Sequence, residues 1–407
     1  MSVQFADIAM QSVVLGSGGA LDENFRPMVG NDTSDEPFEK SLVRKFGSPL
    51  LILDCDRVRM QYRRLSDALP GIDLHYSVRA LSHSAALSAL AAEGALFDAW
   101  TTGEIDHLRS LGIGSDRVIY THPIKRDRDI DDALAFGCDT FVVDNVYELQ
   151  KFVAHRDRRS LSLVLRIGFR YARSSSRFGC DPTEVLDLLA IGHKLGLRID
   201  GLSFRIGSSG GSAAASVQAI QECATLVERA CLLGVTPIRR IGIGSGFPSS
   251  DRAESPDIEG FCAPIRKALG ELPRQVRVYS EVGRYVAAPA VLGIATVVGK
   301  ARRGTAIWYY LDDGVYGSHS GKVFGDASYP LAAIAADPGK IQSSVLAGPT
   351  CDSIDVVAEG ILLPELQIGD LVVARSLGAY SIASASEFNS IPKTKMVVVN
   401  TAGALGE

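Results

Sequence analysis

Short apolar runs alternate with longer amphipathic stretches from residue 50 to about residue 283. The runs have the length of β-strands, and the stretches between them, such as 82–94 and 181–196, have helical periodicity. Strands separated by helices predict right-handed crossovers and parallel pairing. Eight such units close a barrel. The runs that predict it are 73–78, 96–100, 118–123, 140–145, 163–167, 201–207, 241–247 and 276–283, and LLILD at 50–54 makes a ninth that fits a lead-in strand.

A different pattern begins near residue 284. Apolar strands there alternate with Gly and Asp turns, and helical stretches are few, which is typical of a mainly antiparallel β-domain. Residues 1–40 also lack a helical period. We therefore predict an α/β protein with a (βα)8 barrel at 41–283, a C-terminal β-domain at 284–407, and an N-terminal segment at 1–40 that joins the β-domain.

Composition narrows the classes of protein that fit this architecture. The 407 residues carry a net charge of −5 without a long Lys/Arg run, which argues against nucleic-acid and anionic-membrane partners. The seven cysteines are scattered and form no CxxC pair, so neither a disulfide framework nor a metal site is expected. No stretch approaches the ~20 apolar residues that cross a bilayer, and no secretory signal is apparent. We expect a cytoplasmic protein.

Ligands of a βα barrel bind at the C-terminal ends of its strands. Polar residues recur at these ends, among them Arg79, Asp98, Arg166 and Arg205. The segment IGIGSGFP at 241–248 is the clearest feature, because its glycines let backbone N–H groups approach an anion closely. A glycine turn alone is also compatible with simple chain reversal. With SFRIGSS before it and Arg284 after the next strand, however, it favours a phosphate-bearing ligand.

Segments in the same order along nearly the whole chain resemble the fold-type III pyridoxal-phosphate (PLP) decarboxylases, the ornithine/diaminopimelate/arginine decarboxylase family. The resemblance extends from FGSPLLILD at 46–54 to FN at 388–389. The matching segments between them are LHYSVRA, FDAWTTGEI, FVVDNVYEL, SSRFG, GLSFRIGSS, IGIGSGFP, SEVGRY, DDGVYGS, GPTCDSIDV, LPELQIGDLV and GAY.

The resemblance implies roles for individual residues. Glu281 would pair with the pyridine nitrogen, and Asp98 and Glu104 would lie near the reactive end of the cofactor. Cys351 would donate a proton and Asp352 would meet the distal amine of a diamine-type substrate, both from the partner subunit of a homodimer with shared active sites. Tyr316 would line the mouth of the site. The phosphate would be held by Ser208, Gly244, Ser245, Gly246, Arg284 and Tyr380.

Two departures from the family affect the mechanism. Arg79 occupies the position of the cofactor-binding lysine, and a guanidinium has no free amine with which to bind PLP covalently. Arg205 replaces the histidine that stacks on the cofactor ring, a role that a planar guanidinium can also fill. Ser245 within the glycine segment, Val282, and the FGDA segment at 324–327 are further departures. Any PLP is therefore expected to bind non-covalently.

Three hypotheses stay open. In the first, the protein is a divergent amino-acid decarboxylase homologue that acts on an amino acid or its derivative with non-covalent PLP. In the second, it is a PLP-independent enzyme whose phosphate-binding residues, Arg79 and Arg205 hold another anionic substrate. In the third, it is a non-catalytic homologue that regulates a decarboxylase. The retained phosphate and pyridine residues favour ligand binding, and the loss of the lysine favours the second and third hypotheses.

Overall fold

A computed structural model gives the fold of the chain. It describes residues 37–169, 177–207, 212–235, 237–244, 246–249, 257–325, 327–335, 340–401 and 404–406. Most of the N-terminal segment expected at 1–40 lies outside these ranges. The described residues form two compact units, one made of 55–249 and 257–288 and the other of 37–54 and 289–406.

The first unit is a closed barrel of eight parallel strands, as the alternation of apolar runs and helices predicts. Its strands are rich in Val, Ile and Leu and are largely buried because helices cover their outer face. The strands are β2 (Asp73–Ser77), β3 (Leu96–Ala99), β4 (Val118–Tyr120), β5 (Thr140–Val143), β6 (Ser162–Ile167), β7 (Ile199–Phe204), β8 (Arg240–Ile243) and β9 (Arg277–Val282).

Helices connect these strands, and several begin at a side chain that caps the first turn. Thr101 accepts the backbone N–H of Glu104 at the start of α4, and Asn145 accepts that of Glu148 at the start of α6. Gly137 ends α5 in the left-handed conformation that favours glycine. The helices of this unit are α2 (Cys55–Ala68), α3 (Ser84–Ala92), α4 (Thr102–Ser110), α5 (Asp127–Phe136), α6 (Val146–Lys151), α7 (Val185–Lys194), α8 (Ala213–Leu232), α9 (Ile258–Leu269) and α10 (Arg284–Ala287).

The second unit is a nine-stranded mixed sheet with two short helices. Most of its strand pairs are antiparallel, as predicted, but β1 pairs with β16 and β11 with β13 in parallel. The long strand β10 pairs with β1, β11 and β15. The elements are α1 (Phe38–Phe46), α11 (Gly321–Gly325), β1 (Leu50–Asp54), β10 (Val291–Arg303), β11 (Ala306–Leu311), β12 (Leu331–Ile334), β13 (Gln342–Ala347), β14 (Val356–Leu363), β15 (Leu371–Ala374), β16 (Lys395–Thr401) and β17 (Ala404–Gly406).

The boundary between the units differs from the expected start of the barrel at residue 41. Strand β1, the ninth apolar run, is a central strand of the mixed sheet, where Leu50 and Ile52 pack with Leu292 and Val397 in a hydrophobic core. All five residues of β1 are buried. A fully buried strand has no polar face that would distinguish a barrel strand from a sheet strand, so the sequence pattern alone could not assign it.

Candidate active site

The side chains of Arg79 and Asp98 form an ion pair at the C-terminal end of the barrel. Arg79 follows β2 in a short 3-10 turn, and its Nη2 lies 2.8 Å from Oδ2 of Asp98 in the neighbouring strand β3. Asp98 also accepts hydrogen bonds from the Ser77 hydroxyl at 2.7 Å and from the Thr121 hydroxyl. Its side chain is fully buried, whereas that of Arg79 is 18% exposed. The carboxylate therefore has three donors.

The charge of Asp98 depends on these donors. Burial raises the pKa of Asp98, but Arg79 and the two hydroxyl hydrogen bonds oppose burial and hold the pKa below its usual value. The acid is therefore ionised at neutral pH. The two charges of the pair neutralise each other, because the guanidinium stays protonated and the Asp98 carboxylate stays ionised at neutral pH.

Trp100 forms an aromatic wall beside this ion pair. The Arg79 guanidinium lies over the indole with 4.6 Å between the guanidinium carbon and the ring centroid. The indole also stacks on the His122 imidazole at 4.6 Å, and the Phe178 ring meets both rings edge-on at 5.6 Å. A guanidinium that is both ion-paired and stacked is fixed in direction.

Glu104 lies in the first turn of α4, close to the same pair. Its Oε2 accepts the backbone N–H of Trp100 at 2.6 Å. Burial raises the pKa of Glu104 to about 7, against the lowering effects of the Trp100 hydrogen bond and Arg79. Glu104 can therefore change protonation near neutral pH, whereas Asp98 stays ionised.

Glu281 and Arg166 lie at the ends of two other barrel strands. Glu281 in β9 is 8% exposed, and burial together with the charge of Asp98 raises its pKa, against the opposing effect of Arg166. Arg166 in β6 is 6% exposed, and burial lowers its pKa. Arg205 follows β7, and its positive charge lowers the pKa of Glu281 and that of Arg166. The barrel end thus combines three arginines with three acids.

The glycine segment after β8 approaches the backbone of β7 closely. A Cβ on Gly244 would lie 2.3 Å from the Phe204 carbonyl oxygen and 2.7 Å from the Arg205 Cα, so only glycine fits at this position. Gly246 has φ +150, a conformation that L residues rarely adopt. Arg284 is the first residue of α10, directly after β9. Ser208 and Ser245, two further expected phosphate ligands, lie outside the described residues.

The remaining candidates lie in the mixed-sheet unit. The Tyr316 hydroxyl donates a hydrogen bond to Oδ2 of Asp352, and this bond lowers the pKa of Asp352. The Tyr316 ring stacks on Phe388 at 4.5 Å. The backbone N–H of Cys351 donates to Oδ1 of Asn389 at 3.3 Å. Tyr380 has φ +62, so its position in the chain is conformationally unusual for a non-glycine residue.

Within this unit, Asp355 fixes the two loops that carry Tyr316 and Asp352. Its Oδ1 accepts the Val315 backbone N–H at 2.8 Å, and its Oδ2 accepts the N–H and hydroxyl of Thr350 at 3.0 and 2.7 Å. Asp355 is 2% exposed. The buried Asp355 carboxylate therefore orders the loop that carries Cys351, the proton-donor candidate, and Asp352, the amine-binding candidate. Cys351 itself is exposed.

The structure thus groups the expected residues by unit. Arg79, Asp98, Arg205, Glu281 and the glycine segment share the barrel end, and Cys351, Asp352 and Tyr380 belong to the other unit. Sequence reasoning did not single out the Trp100, Thr121 and Phe178 contacts. For Trp100 and Thr121, their position in the sequence could have indicated a place at the barrel end, because they directly follow the strands β3 and β4. It also gave no role to His122, which stacks on Trp100.

Fold and site together define a class: a βα barrel with an attached β-domain, whose strand ends carry a glycine segment suited to a phosphate and a buried acid suited to a ring nitrogen. The chain belongs to the pyridoxal-dependent decarboxylase family, because the family model for the pyridoxal-binding domain matches residues 55–288. This confirms the resemblance seen in the motifs, and the barrel with its β-domain confirms the expected fold.

Three relatives illustrate the similarity. A lysine/ornithine decarboxylase of Selenomonas ruminantium is 31% identical over 86% of this chain and 89% of its own. Antizyme inhibitor 2 of Xenopus laevis is 31% identical over 84% of this chain and 79% of its own. A crystal structure of the Vibrio vulnificus lysine/ornithine decarboxylase complexed with cadaverine superimposes with a TM-score of 0.85, at 47% identity over 89% of this chain and 97% of that one.

The residues present fit the phosphate and ring of PLP but not its covalent attachment. Glycines at 244 and 246 leave the backbone N–H groups after β8 free of side chains, which suits a phosphate, and Glu281 is a buried acid whose pKa three arginines influence. Residue 79, in contrast, offers a guanidinium that is already paired with Asp98. No helix in the described ranges has both the length and the apolar content needed to span a membrane.

Proposed function

We propose that this protein binds PLP non-covalently in the barrel and uses it on an amino acid or an amino-acid derivative. The observation that carries the proposal is the Arg79–Asp98 ion pair at the position of the family's lysine. A guanidinium offers no nucleophilic amine at any working pH, and this one is also held by Trp100. The glycine segment and Glu281 nevertheless persist, which supports retention of the cofactor.

Within this proposal the barrel residues hold the cofactor. Glu281 would pair with the ring nitrogen, Arg205 would stack on the ring, and Asp98 would lie near the reactive end of the cofactor. When bound, PLP supplies an electron sink for the substrate carbon that loses a substituent. The phosphate ligands that we propose are Ser208, Gly244, Ser245, Gly246, Arg284 and Tyr380.

The same proposal assigns roles to residues of the β-domain. Cys351 donates a proton to the product carbon, and Asp352 binds the distal amine of a diamine-type substrate. Both act at the site of a partner subunit, which requires a homodimer with shared active sites. The exposure of Cys351 supports this assignment.

The missing lysine removes a proton carrier as well as an attachment point, so turnover is expected to be slow. Arg79 cannot replace it, because a guanidinium does not release a proton under working conditions. Glu104 is the group near Arg79 and Asp98 whose pKa, about 7, allows it to gain and lose a proton at neutral pH. It can therefore hold a proton beside the reacting end of the substrate.

Equilibrium dialysis with PLP tests this proposal. The protein should bind PLP saturably and lose it again on dialysis, and L-lysine or L-ornithine should change the spectrum of the bound cofactor. The matched control is Glu281→Gln, which removes the charge that faces the ring nitrogen and should weaken PLP binding without changing the fold by circular dichroism. Absence of saturable PLP binding to the wild-type protein would refute the proposal.

A second candidate is a non-catalytic regulator of a decarboxylase. The similarity to antizyme inhibitor 2 favours it, because that relative is named as an inhibitor and not as a decarboxylase. This candidate predicts that the protein binds no PLP and forms a mixed dimer with a decarboxylase of the same cell. Purification of the tagged protein from its native host distinguishes the two, since a stoichiometric decarboxylase partner should then co-purify.

A further inference from the structure

His319 is a buried histidine of the β-domain whose imidazole has no hydrogen-bond partner among the described residues. It lies in the segment between β11 and α11 and is 3% exposed. Within the same ranges both ring nitrogens, Nδ1 and Nε2, lack a partner, and so does the hydroxyl of the neighbouring buried Ser318. The imidazole meets the Tyr329 ring edge-on, with 5.5 Å between the ring centroids. Burial without a partner favours the neutral form of the ring, because a charged group would lose its hydration.

Histidines elsewhere in the chain show that this is a local feature. His75 in the barrel is buried to a similar degree, and its Nδ1 lies 3.4 Å from the Phe97 carbonyl oxygen. The half-buried His83 accepts the Ala85 backbone N–H on Nδ1 at 3.2 Å. His319 therefore occupies a site where an apolar ring would pack at no cost in hydrogen bonds, and what it adds is the ability to take up a proton.

Two buried carboxylates, Asp313 and Asp355, interact electrostatically with His319. Oδ1 of Asp313 accepts the backbone N–H of Ser318 at 3.0 Å, and its Oδ2 accepts the Thr394 hydroxyl at 3.2 Å. The oxygens of Asp355 accept the loop donors described above. All four carboxylate oxygens therefore already accept hydrogen bonds from neighbouring segments of the chain.

Two further groups face the imidazole. Lys322 in α11 carries a positive charge, and its Nζ donates to the Val357 carbonyl oxygen at 2.8 Å. The Tyr329 hydroxyl lies 3.0 Å from the Ser381 hydroxyl, to which it is hydrogen-bonded. Burial lowers the pKa of His319 against the opposing charges of the two carboxylates, and Lys322 adds to the lowering. The folded protein therefore disfavours the charged ring relative to the unfolded chain.

Protonation of the ring would change the hydrogen bonds of this region. The neutral imidazole has one N–H donor, whereas the imidazolium has two donors and a full positive charge. The acceptors that attract it are the oxygens of Asp313 and Asp355. These oxygens already accept the backbone N–H groups of Val315, Ser318 and Thr350. A protonated ring therefore competes with these N–H groups for the same oxygens.

We propose that His319 is a proton-controlled switch for two loops of the β-domain, 312–320 and 348–355. These loops carry Tyr316 and Asp352, respectively. The neutral ring permits their closed arrangement, and uptake of a proton opens it by withdrawing carboxylate oxygens from the loop donors. One buried carboxylate bonds to both loops, so the two should open together. The switch does not rest on the proposed function, because it needs no ligand.

Hydrogen exchange of the ligand-free, full-length protein tests the switch. Exchange of the amides in both loops is measured at about pH 7.5 and about pH 5.5, on either side of the ordinary histidine pKa, and is corrected for the intrinsic effect of pH. The folded pKa of His319 lies below the unfolded value, so the stability linked to this residue is fully present above the unfolded value and is lost as the pH falls. The opening equilibrium of both loops should therefore rise up to about 10-fold at the lower pH, the change expected when the open form binds one proton with a pKa of about 6.5.

His319→Phe should abolish this rise. Phenylalanine keeps an aromatic ring against Tyr329 but cannot bind a proton, so the corrected exchange of both loops should be equal at the two pH values. The matched control is His75→Phe, which removes the similarly buried histidine of the barrel and its lowered pKa of about 4. This control should keep the pH-dependent exchange of the loops, because the substitution lies in the other folded unit.

A second variant, His319→Gln, keeps a polar side chain that does not titrate. It replaces His319→Phe if circular dichroism at neutral pH shows that phenylalanine disturbs the fold. Loss of the rise in a His319 variant, together with its retention in His75→Phe, supports the switch. A rise that persists in folded His319 variants, a rise that is lost in both the His319 and the His75 variants, or no rise in the wild type would overturn it.

Discussion

At the scale of single residues, Arg79, which the motif resemblance aligns with the family's lysine, is stabilised by its surroundings. Asp98 supplies the opposite charge, Trp100 supplies a flat surface for the guanidinium, and Ser77 and Thr121 complete the hydrogen bonds of the carboxylate. The result is a fixed ion pair in place of a reactive amine. Under the proposed function, the barrel end would therefore hold the cofactor but offer no amine at residue 79 to attach it.

Removal of the Asp98 carboxylate should destabilise the protein strongly. Asp98→Ala removes the carboxylate that faces the mostly buried Arg79 guanidinium, so we expect a loss of about 3 kcal/mol in the free energy of unfolding, measured by urea denaturation. The control is Asp106→Ala, whose exposed pair with Arg109 should contribute less than about 1 kcal/mol. Equal small losses would contradict a structural role for the Arg79–Asp98 pair.

Protonation of Glu104 should make the stability of the barrel depend on pH. Its folded pKa, about 7, lies above the usual 4.5, so the folded state binds the proton more tightly and this contribution is lost as the pH rises from about 4.5 to about 7. Glu104→Gln should remove that part of the decline, on the order of 3 kcal/mol, while keeping an acceptor for the Trp100 N–H. Identical pH profiles of the thermal midpoint in the variant and the wild type would contradict this origin.

At the scale of elements, the strand ends determine where chemistry is possible. The sequence pattern located the eight barrel strands within a few residues, because their apolar runs are separated by helices of clear periodicity. It could not assign β1, which is buried on both faces. It also could not reveal the contacts of Trp100 with Arg79 and His122, because they join side chains from different strands, and periodicity reports only which face a residue lies on.

The close approach of β7 and the glycine segment should not tolerate a methyl group at residue 244. Gly244→Ala would place its Cβ 2.3 Å from the Phe204 carbonyl, so both the thermal midpoint and the affinity for PLP should fall. Gly103→Ala is the matched control, since its nearest neighbour, the Thr101 hydroxyl, lies 3.8 Å away and its helix favours alanine. Retained affinity in Gly244→Ala would show that the segment does not need this geometry.

At the scale of the whole molecule, the candidate residues are divided between two folded units. The barrel carries the residues that we expect to hold the cofactor, and the β-domain carries Cys351 and Asp352. Each group is ordered by its own buried carboxylate, Asp98 in one and Asp355 in the other. The proposed homodimer with shared active sites rests on the family resemblance and not on this division.

Sedimentation velocity should therefore show a species with twice the mass of one chain. Because the proposed shared site needs Cys351 and Asp352 from a second subunit, PLP-dependent activity should appear only at concentrations where this species is present. A protein that is monomeric and equally active at all concentrations would contradict the shared-site proposal.

The central claim is that PLP is held without a covalent bond because residue 79 is arginine. The most direct test is intact-mass spectrometry after incubation with PLP and reduction with borohydride, with peptide mapping of any modified lysine, on the wild type and on Arg79→Lys. We predict that the wild type carries no stoichiometric adduct and that Arg79→Lys carries one reduced cofactor at residue 79. A stoichiometric adduct on a single barrel lysine of the wild-type protein, such as Lys125, would contradict the claim.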